Sequence, residues 1–335
     1  MLANVEAEFR TRLLDRREKL AATIVTSPET TNLLQLLQEV DSALARMDAG
    51  DYGVCEACRG EIERELLDVD PLVRYCLPDL TPQQHRALEQ DLNLAAQMQG
   101  ALLPRRNFSF DGWQTHYHYE PVGPVGGDYC DLILPDGAGT ADAFYFFLGD
   151  VSGKGIASAL LVSQLHAVFR SLVALDLPVN QLVERANRIL CESIIPAYFA
   201  TLVCGRVAKS GEMEICNAGH CPPLLIRQDN LEEIEATGLP LGLFYTSEYG
   251  ARKLSLADGE SLFLYTDGLH EAHDSLDMEY GQERLTKLVS ECGTLPPRRL
   301  LNHCLDDLSG FLSGAPKTDD LTIMVLRRAG QQQAH

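Results

Sequence analysis

The stretch LGDVSGKGIASALL, Leu148 to Leu161, decides how the larger part of the chain is read. The apolar run AFYFFL leads into it and an apolar-periodic run follows, so it reads as strand, glycine-rich turn and helix. A nucleotide-binding loop needs G-x-x-x-x-G-K followed by Ser or Thr, because the spacing shapes a nest of backbone N–H groups and the hydroxyl reaches the magnesium ion. Here Gly149 and Gly153 are one residue too close, and Gly155 follows Lys154. The turn is better read as a device that presents the carboxylate of Asp150 at a strand end.

Four acidic positions share this local grammar: Asp128 in VGGDYCD, Asp150 in FFLGDVSG, Asp267 in FLYTDGL and Asp319 in KTDDLTIMVL. Each follows or precedes an extended apolar segment and has small residues beside it. Taken singly, an Asp at such a place can simply cap a turn. Brought together without a cation, the carboxylates would repel and raise one another's pKa values. Hard oxygen donors of this kind suit Mg²⁺ or Mn²⁺. Two such ions would clamp a hydroxide for in-line attack on phosphorus, which points to phosphoester hydrolysis.

Around these motifs the region from Arg105 onward predicts strands at Trp113–Tyr119, Tyr129–Leu134, Phe144–Leu148, Ala200–Val207, Met213–Cys216, Leu224–Arg227, Ser261–Tyr265 and Leu321–Leu326. Helices are expected at Ile156–Leu175, Leu182–Ile194, Gly281–Glu291 and Arg298–Leu312. Strand runs that bracket helices, rather than alternate with them, argue for an α+β fold with mainly antiparallel sheets.

Read in order, Glu120-Pro121 with VGGDYCD, GDVSGKGIASALL, NAGHCPPLL, LYTDGLHEA and DDLTIMVL resemble the SpoIIE/RsbU-type branch of the PPM family, the metal-dependent protein serine/threonine phosphatases. The resemblance covers about Leu103 to Arg327. It implies a sandwich of two antiparallel β-sheets flanked by helices, with two Mn²⁺ or Mg²⁺ ions in a cleft at one edge. It also implies that Asp150 bridges the ions and Val151 offers its carbonyl. Asp128 would join Asp150 at one ion, and Asp267 and Asp319 would hold the other. Asp131 and Asp320 are adjacent second-shell candidates. Such relatives are bacterial signal-transduction enzymes that act on anti-sigma-factor antagonists in partner-switching systems, so a phosphorylated regulatory protein of that type is the expected partner.

His220, in Asn217-Ala218-Gly219-His220, either touches the phosphoryl group or a water, or fixes its own loop. Ser152 stands where animal-type relatives carry a histidine, so no general acid is assigned. Lys154 can attract a phosphate or remain a solvated turn lysine. His116, His118 and His166 are read as structural. Cys130, Cys191, Cys204, Cys216, Cys221, Cys292 and Cys304 show no ligand spacing and suit a core.

The N-terminal third has a different texture. Val5–Ile24 and Thr31–Met47 read as helices broken at Ser27-Pro28, a helical hairpin over residues 1–47. Residues 48–81, with QEVDSALARMDAGDYGVCEACRGEI leading to DVDPLVRYC, are similar to the DksA/TraR zinc-finger family. That family spaces two C-x₂-C pairs seventeen residues apart, and Cys55, Cys58 and Cys76 keep the register while Asp79 replaces the fourth Cys. With Asp79 or His85 as fourth ligand a Zn²⁺ site is chemically feasible; a metal-free finger held by its core is the competing reading. Members of that family can reach into RNA polymerase, but the turn TSPETTN has no acidic pair for that role. Residues 82–104 read as a linker helix with a spine of Leu88, Leu92, Ala95, Gln99 and Leu102. That spacing suits either a coiled-coil homodimer or packing on the chain's own domain. The phosphatase domain is expected over 105–330.

Length and composition fit this plan. At 335 residues the chain suggests about two domains, and 45% apolar residues can fill a sizeable core. A net charge of −20 disfavours nucleic acid and anionic membrane as broad electrostatic partners. No run approaches the roughly 18 apolar residues a membrane span needs. The start MLANVEAEFRTRLLDRREKL is charged throughout rather than signal-like, so a cytoplasmic protein is expected, and its ten cysteines are expected to stay reduced. The rival functional readings are an inactive PPM-fold binding module and an RNA-polymerase-associated regulator acting through the finger.

Overall fold

The computed structural model describes residues 2–26, 31–56, 60–74, 76, 82–135, 141–193, 198–228 and 230–329. The chain divides into two compact units between Asp91 and Leu92, within α4 (Pro82–Leu102).

In the N-terminal unit, α1 (Leu2–Thr26) and α2 (Thr31–Ala49) contribute Phe9 and Leu13, and Val40, Ala43, Leu44 and Met47, to one small core. The helical spacing of the α2 residues puts them on a single face. Arg10 pairs with Asp48 and Arg17 with Asp41 between the two helices. Beyond them Val54 bridges Glu61, and α3 (Arg64–Val69) adds Leu67 to the core. Cys55 is buried in that core and Cys76 packs against it. Cys58 and Asp79, and the side chain of His85, lie outside the described residues. Among the described residues no three His, Cys, Asp or Glu side chains are grouped as a metal site.

The C-terminal unit contains two antiparallel sheets. One has the order β1 (Asn107–Phe110), β2 (Trp113–Glu120), β11 (Leu321–Arg328), β10 (Ser261–Tyr265), β7 (Leu224–Ile226), β8 (Leu231–Glu233). The other runs β3 (Asp128–Ile133), β4 (Ala143–Val151), β5 (Ala200–Ala208), β6 (Glu212–Ala218), β9 (Arg252–Ser255). Phe144, Phe146 and Leu148 of β4 pack between the sheets against residues such as Leu264 and Met324. Tyr145, Phe147 and Val151, on the opposite face of β4, pack against α5 (Ile156–Val173) and α6 (Val179–Ser193). The outer face of the other sheet is covered by α8 (Gln282–Cys292) and α9 (Pro297–Leu312). A strand covered on both faces is apolar at every position, which is why AFYFFL lacks the alternation of a half-exposed strand.

Three strands lie outside the expected set. β1, β8 and β9 are short edge strands with exposed polar positions, so their sequences carry little hydrophobic signal. Contrary to expectation, one helix among the described residues, α5, is long and apolar enough to cross a membrane by length and composition. Its Val162, Leu165, Phe169 and Leu172 lie in the core under β3 and β4, so its apolar content is that of a packed helix.

Candidate metal centre

β3 and β4 pair so that Asp128 lies directly opposite Asp150. Directly opposed residues project to the same face of a sheet. Asp128 shares its face with Cys130 and Leu132, and Asp150 with Phe146 and Leu148, all of which face the other sheet. Both carboxylates therefore stand at the mouth between the two sheets. From the opposite sheet, β10 ends at Tyr265 and leads through Thr266 to Asp267, the first residue of α7 (Asp267–His270), while Asp319 and Asp320 precede β11. Gly268 is required at this approach: a Cβ there would lie 2.0 Å from the backbone oxygen of Asp320.

Burial pushes the pKa of Asp150 up to about 8, with further upward pressure from Asp267, Asp319 and Asp320. Asp128 is likewise driven well above the usual carboxylate range, first by burial and then by Asp150, against the opposing hydrogen bond from Thr322. Burial and Asp319 raise Asp267 as well. The acidic residues thus share one electrostatic environment, although no three of them form a closed cage among the described residues. Asp128 has an orphan atom: its buried Oδ1 has no hydrogen-bond partner among the described residues, while Oδ2 accepts from Thr266 and Thr322. A Cβ on Gly127 would come within 3.0 Å of the Val151 carbonyl oxygen and 3.4 Å of Asp150 Oδ1, so glycine keeps the space beside both oxygens open. Hard oxygen donors, an orphaned carboxylate oxygen and a negative potential that the chain compensates only at the Asp319 rim fit Mg²⁺ or Mn²⁺.

The other candidates separate into different roles. Asp320 accepts from the backbone N–H of Val122 at 2.7 Å and of Gly127 at 2.6 Å, which ties the loop before β3 to the start of β11. Asp319 receives Lys154 Nζ at 3.1 Å, and the same ammonium donates to the carbonyl of Thr318 at 2.6 Å. Asp131 is a correction. It lies three residues beyond Asp128, on the opposite face of β3, where Arg170 of α5 donates to both its oxygens at 2.9 and 3.0 Å. His166 Nε2 stands 3.5 Å away. Asp131 is part of a structural ion pair beneath α5, away from the cleft.

His220 is buried, its ring Nδ1 2.8 Å from Thr201 Oγ1 and its backbone N–H donating to Asn217 Oδ1 at 2.8 Å. Burial lowers its pKa to about 4, so the ring is neutral near pH 7. These contacts fix the loop. His118 and Glu120 pair at 3.0 Å, and His116 Nδ1 lies 3.0 Å from Asn107 Oδ1.

Three residues of the site escaped the sequence reading. Gln99, whose spacing left it either at a coiled-coil seam or packed on the chain's own domain, is buried within its own unit, and its partner was not foreseen. Its Nε2 donates to the Gly126 carbonyl at 2.7 Å and its Oε1 accepts from the Gly126 N–H at 3.0 Å. Thr266 and Thr322 were inside quoted motifs, but only the aspartates beside them were read for chemistry.

Two helix-flanked antiparallel sheets with acidic residues at the mouth between them define a PP2C-like fold. The SiaA-PP2C domain of Pseudomonas aeruginosa has this fold, with a TM-score of 0.61 and 18% identity over 72% of this chain and 98% of that one. The sequence profile described as Stage II sporulation protein E (SpoIIE) matches residues 140–329, and the chain belongs to the SpoIIE family. Phosphoserine phosphatase RsbU of Bacillus subtilis (strain 168) is 24% identical over 267 residues, 78% of either chain. Protein IcfG of Synechocystis sp. is 23% identical over 71% of this chain, and the match spans only 41% of IcfG.

Proposed function

We propose that the chain is a metal-dependent protein phosphatase that removes phosphate from serine or threonine of a regulatory protein, with an anti-sigma-factor antagonist as substrate class and two Mn²⁺ or Mg²⁺ ions as cofactors. The observation that supports this most is the opposed pair Asp128 and Asp150. Both have raised pKa values, and the charges that perturb them are carboxylates rather than lysines or arginines. A fold that gathers charge of one sign in this way is suited to an external cation. The name of RsbU, phosphoserine phosphatase, supports phosphoserine as the group hydrolysed.

On donor chemistry, Asp128, Asp150 and the Val151 carbonyl would hold one ion, and Asp150, Asp267 and Asp319 the other. When bound, two such ions supply Lewis acidity to a water and neutralise charge on an in-line displacement at phosphorus. The chain's own groups prepare the setting. Asp320 holds Gly127 and Val122 in place, Gln99 pins Gly126, and Gly127 keeps the space beside Asp150 clear. Lys154, held over the acidic rim on a glycine turn, moderates its repulsion of an incoming phosphate dianion.

The test is hydrolysis of a phosphoserine peptide and of p-nitrophenyl phosphate in Mn²⁺ and in EDTA, for wild type and Asp150→Asn. Turnover that needs Mn²⁺ and falls by about 100-fold or more in the variant is expected, as removal of a ligand worth several kcal/mol requires. A folded wild type with no Mn²⁺-dependent turnover contradicts the proposal.

A further inference from the structure

Asp128 belongs to one sheet, but its carboxylate is held by the other. Thr266, just beyond β10, donates its hydroxyl to Asp128 Oδ2 at 2.9 Å, and Thr322 of β11 donates to the same oxygen. The Thr322 N–H donates to Thr266 Oγ1 at 2.9 Å, and the Thr266 N–H to the Thr322 carbonyl at 3.0 Å. The Thr266 proton goes to the nearer acceptor, Asp128 Oδ2 at 2.9 Å rather than the Thr322 carbonyl at 3.5 Å, while a lone pair takes the Thr322 amide. Asp128 is 2% exposed and the two threonines 0%. Among the described residues the Asp128 Oδ1 is left without a partner.

A buried β-branched pair at this place, one residue on β11 and one just beyond β10, does not need hydroxyls. Valine would fill the same space, and the backbone bond from Thr266 N–H to Thr322 would remain. Burying two hydroxyls is costly unless each is satisfied, and here both are satisfied by one carboxylate oxygen. Thr266 immediately precedes Asp267, and Thr322 follows Asp320 by two residues. The groups that orient Asp128 thus sit on the segments that carry the acidic residues of the opposite sheet.

We propose that Thr266 and Thr322 are positioning residues for metal loading. By fixing Oδ2 they turn the orphan Oδ1 of Asp128 toward the cleft and set the spacing between the carboxylates of the two sheets. The inference rests on the metal-dependent reading above. A carboxylate otherwise turns freely about a broad two-fold torsion, and the loss of partners that orient a ligand typically weakens metal binding by about 10–100-fold.

The experiment is a titration of the metal-free protein with Mn²⁺, following free Mn²⁺ by electron paramagnetic resonance, alongside the Mn²⁺ dependence of turnover. Thr322→Val is expected to weaken binding by about 10–100-fold. Its turnover should return at saturating Mn²⁺, and Thr322→Ser, which keeps the hydroxyl, should bind like wild type. Circular dichroism checks folding, and if Thr322→Val does not fold, Thr266→Ala and Thr266→Ser carry the same comparison. Folded variants without the hydroxyl that bind Mn²⁺ as wild type does overturn the positioning role alone. A wild type that takes up no Mn²⁺ overturns the metal-dependent reading, and this inference with it.

Discussion

Asp128 and Asp131 occupy the same short strand, both buried, and the fold compensates only one of them internally. Asp131 faces α5, where Arg170 donates to both its oxygens and His166 stands beside it. Asp128 faces the cleft, where its partners are two neutral hydroxyls and its nearest charged neighbours are other carboxylates. A buried charge is costly unless it is paired. The contrast therefore separates a carboxylate that belongs to the architecture from one whose compensation comes from outside the chain. Both are needed at the same place: the Asp131 pair anchors α5 to β3, and β3 presents Asp128.

The comparison breaks most visibly in activity. Asp128→Asn is expected to lower Mn²⁺-dependent phosphatase turnover by about 100-fold or more, while Asp131→Asn leaves it within about threefold at a temperature where both are folded. Equal losses in the two variants would erase the distinction.

Stability should respond the other way. Arg170→Met leaves Asp131 buried with His166 as its remaining ionisable partner and should cost about 3 kcal/mol, or a melting point lower by roughly 6–12 °C. Asp128→Asn in EDTA removes a poorly compensated charge and should leave the melting point unchanged or higher near pH 8. Calorimetry of the two variants decides the sign.

The third effect is a pH dependence. Asp150 binds a proton with the ordinary carboxyl pKa of about 4 when unfolded and of about 8 when folded. Between these values the folded state holds more protons, so its stability is full below the lower pKa and is lost as pH rises through the upper one. In EDTA the melting temperature should fall by about 5 °C or more between pH 5 and 8. Asp150→Asn should flatten that fall, and Mn²⁺ should reverse it at pH 8. A melting point that is flat or rising across this range would count against the uncompensated cluster.

The smallest effect concerns Lys154. Its pair with Asp319 is half-exposed, and such pairs contribute about 0–1 kcal/mol. Lys154→Met should tighten Mn²⁺ binding by at most about fivefold, measured by the same titration. A loss of affinity would mean that Lys154 supports the site rather than competes for it.

The legibility of these features follows sequence distance. The buried strand Ala143–Leu148 could be read locally because every residue in it is apolar, and the four aspartates because each sits in a short motif at a strand boundary. The division of labour between Asp128 and Asp131 could not, since Arg170 lies 39 positions from Asp131. The clamp on Asp128 spans 138 and 194 positions. Gln99 showed how a local pattern misleads: its helical spacing fits a dimer seam equally well, and only the approach of Gly126 reveals its partner. The expected second-shell role of Asp131 failed for a related reason, because adjacency in sequence places residues three apart on opposite faces of a strand.

The central claim is that the acidic mouth between the sheets is completed by divalent ions. Its most direct test is the number of Mn²⁺ ions bound per metal-free chain at pH 7.5, for wild type and Asp150→Asn. About two ions are expected for wild type, with a loss of tight binding in the variant. Absence of stoichiometric binding to wild type, or the same isotherm for both proteins, would contradict it.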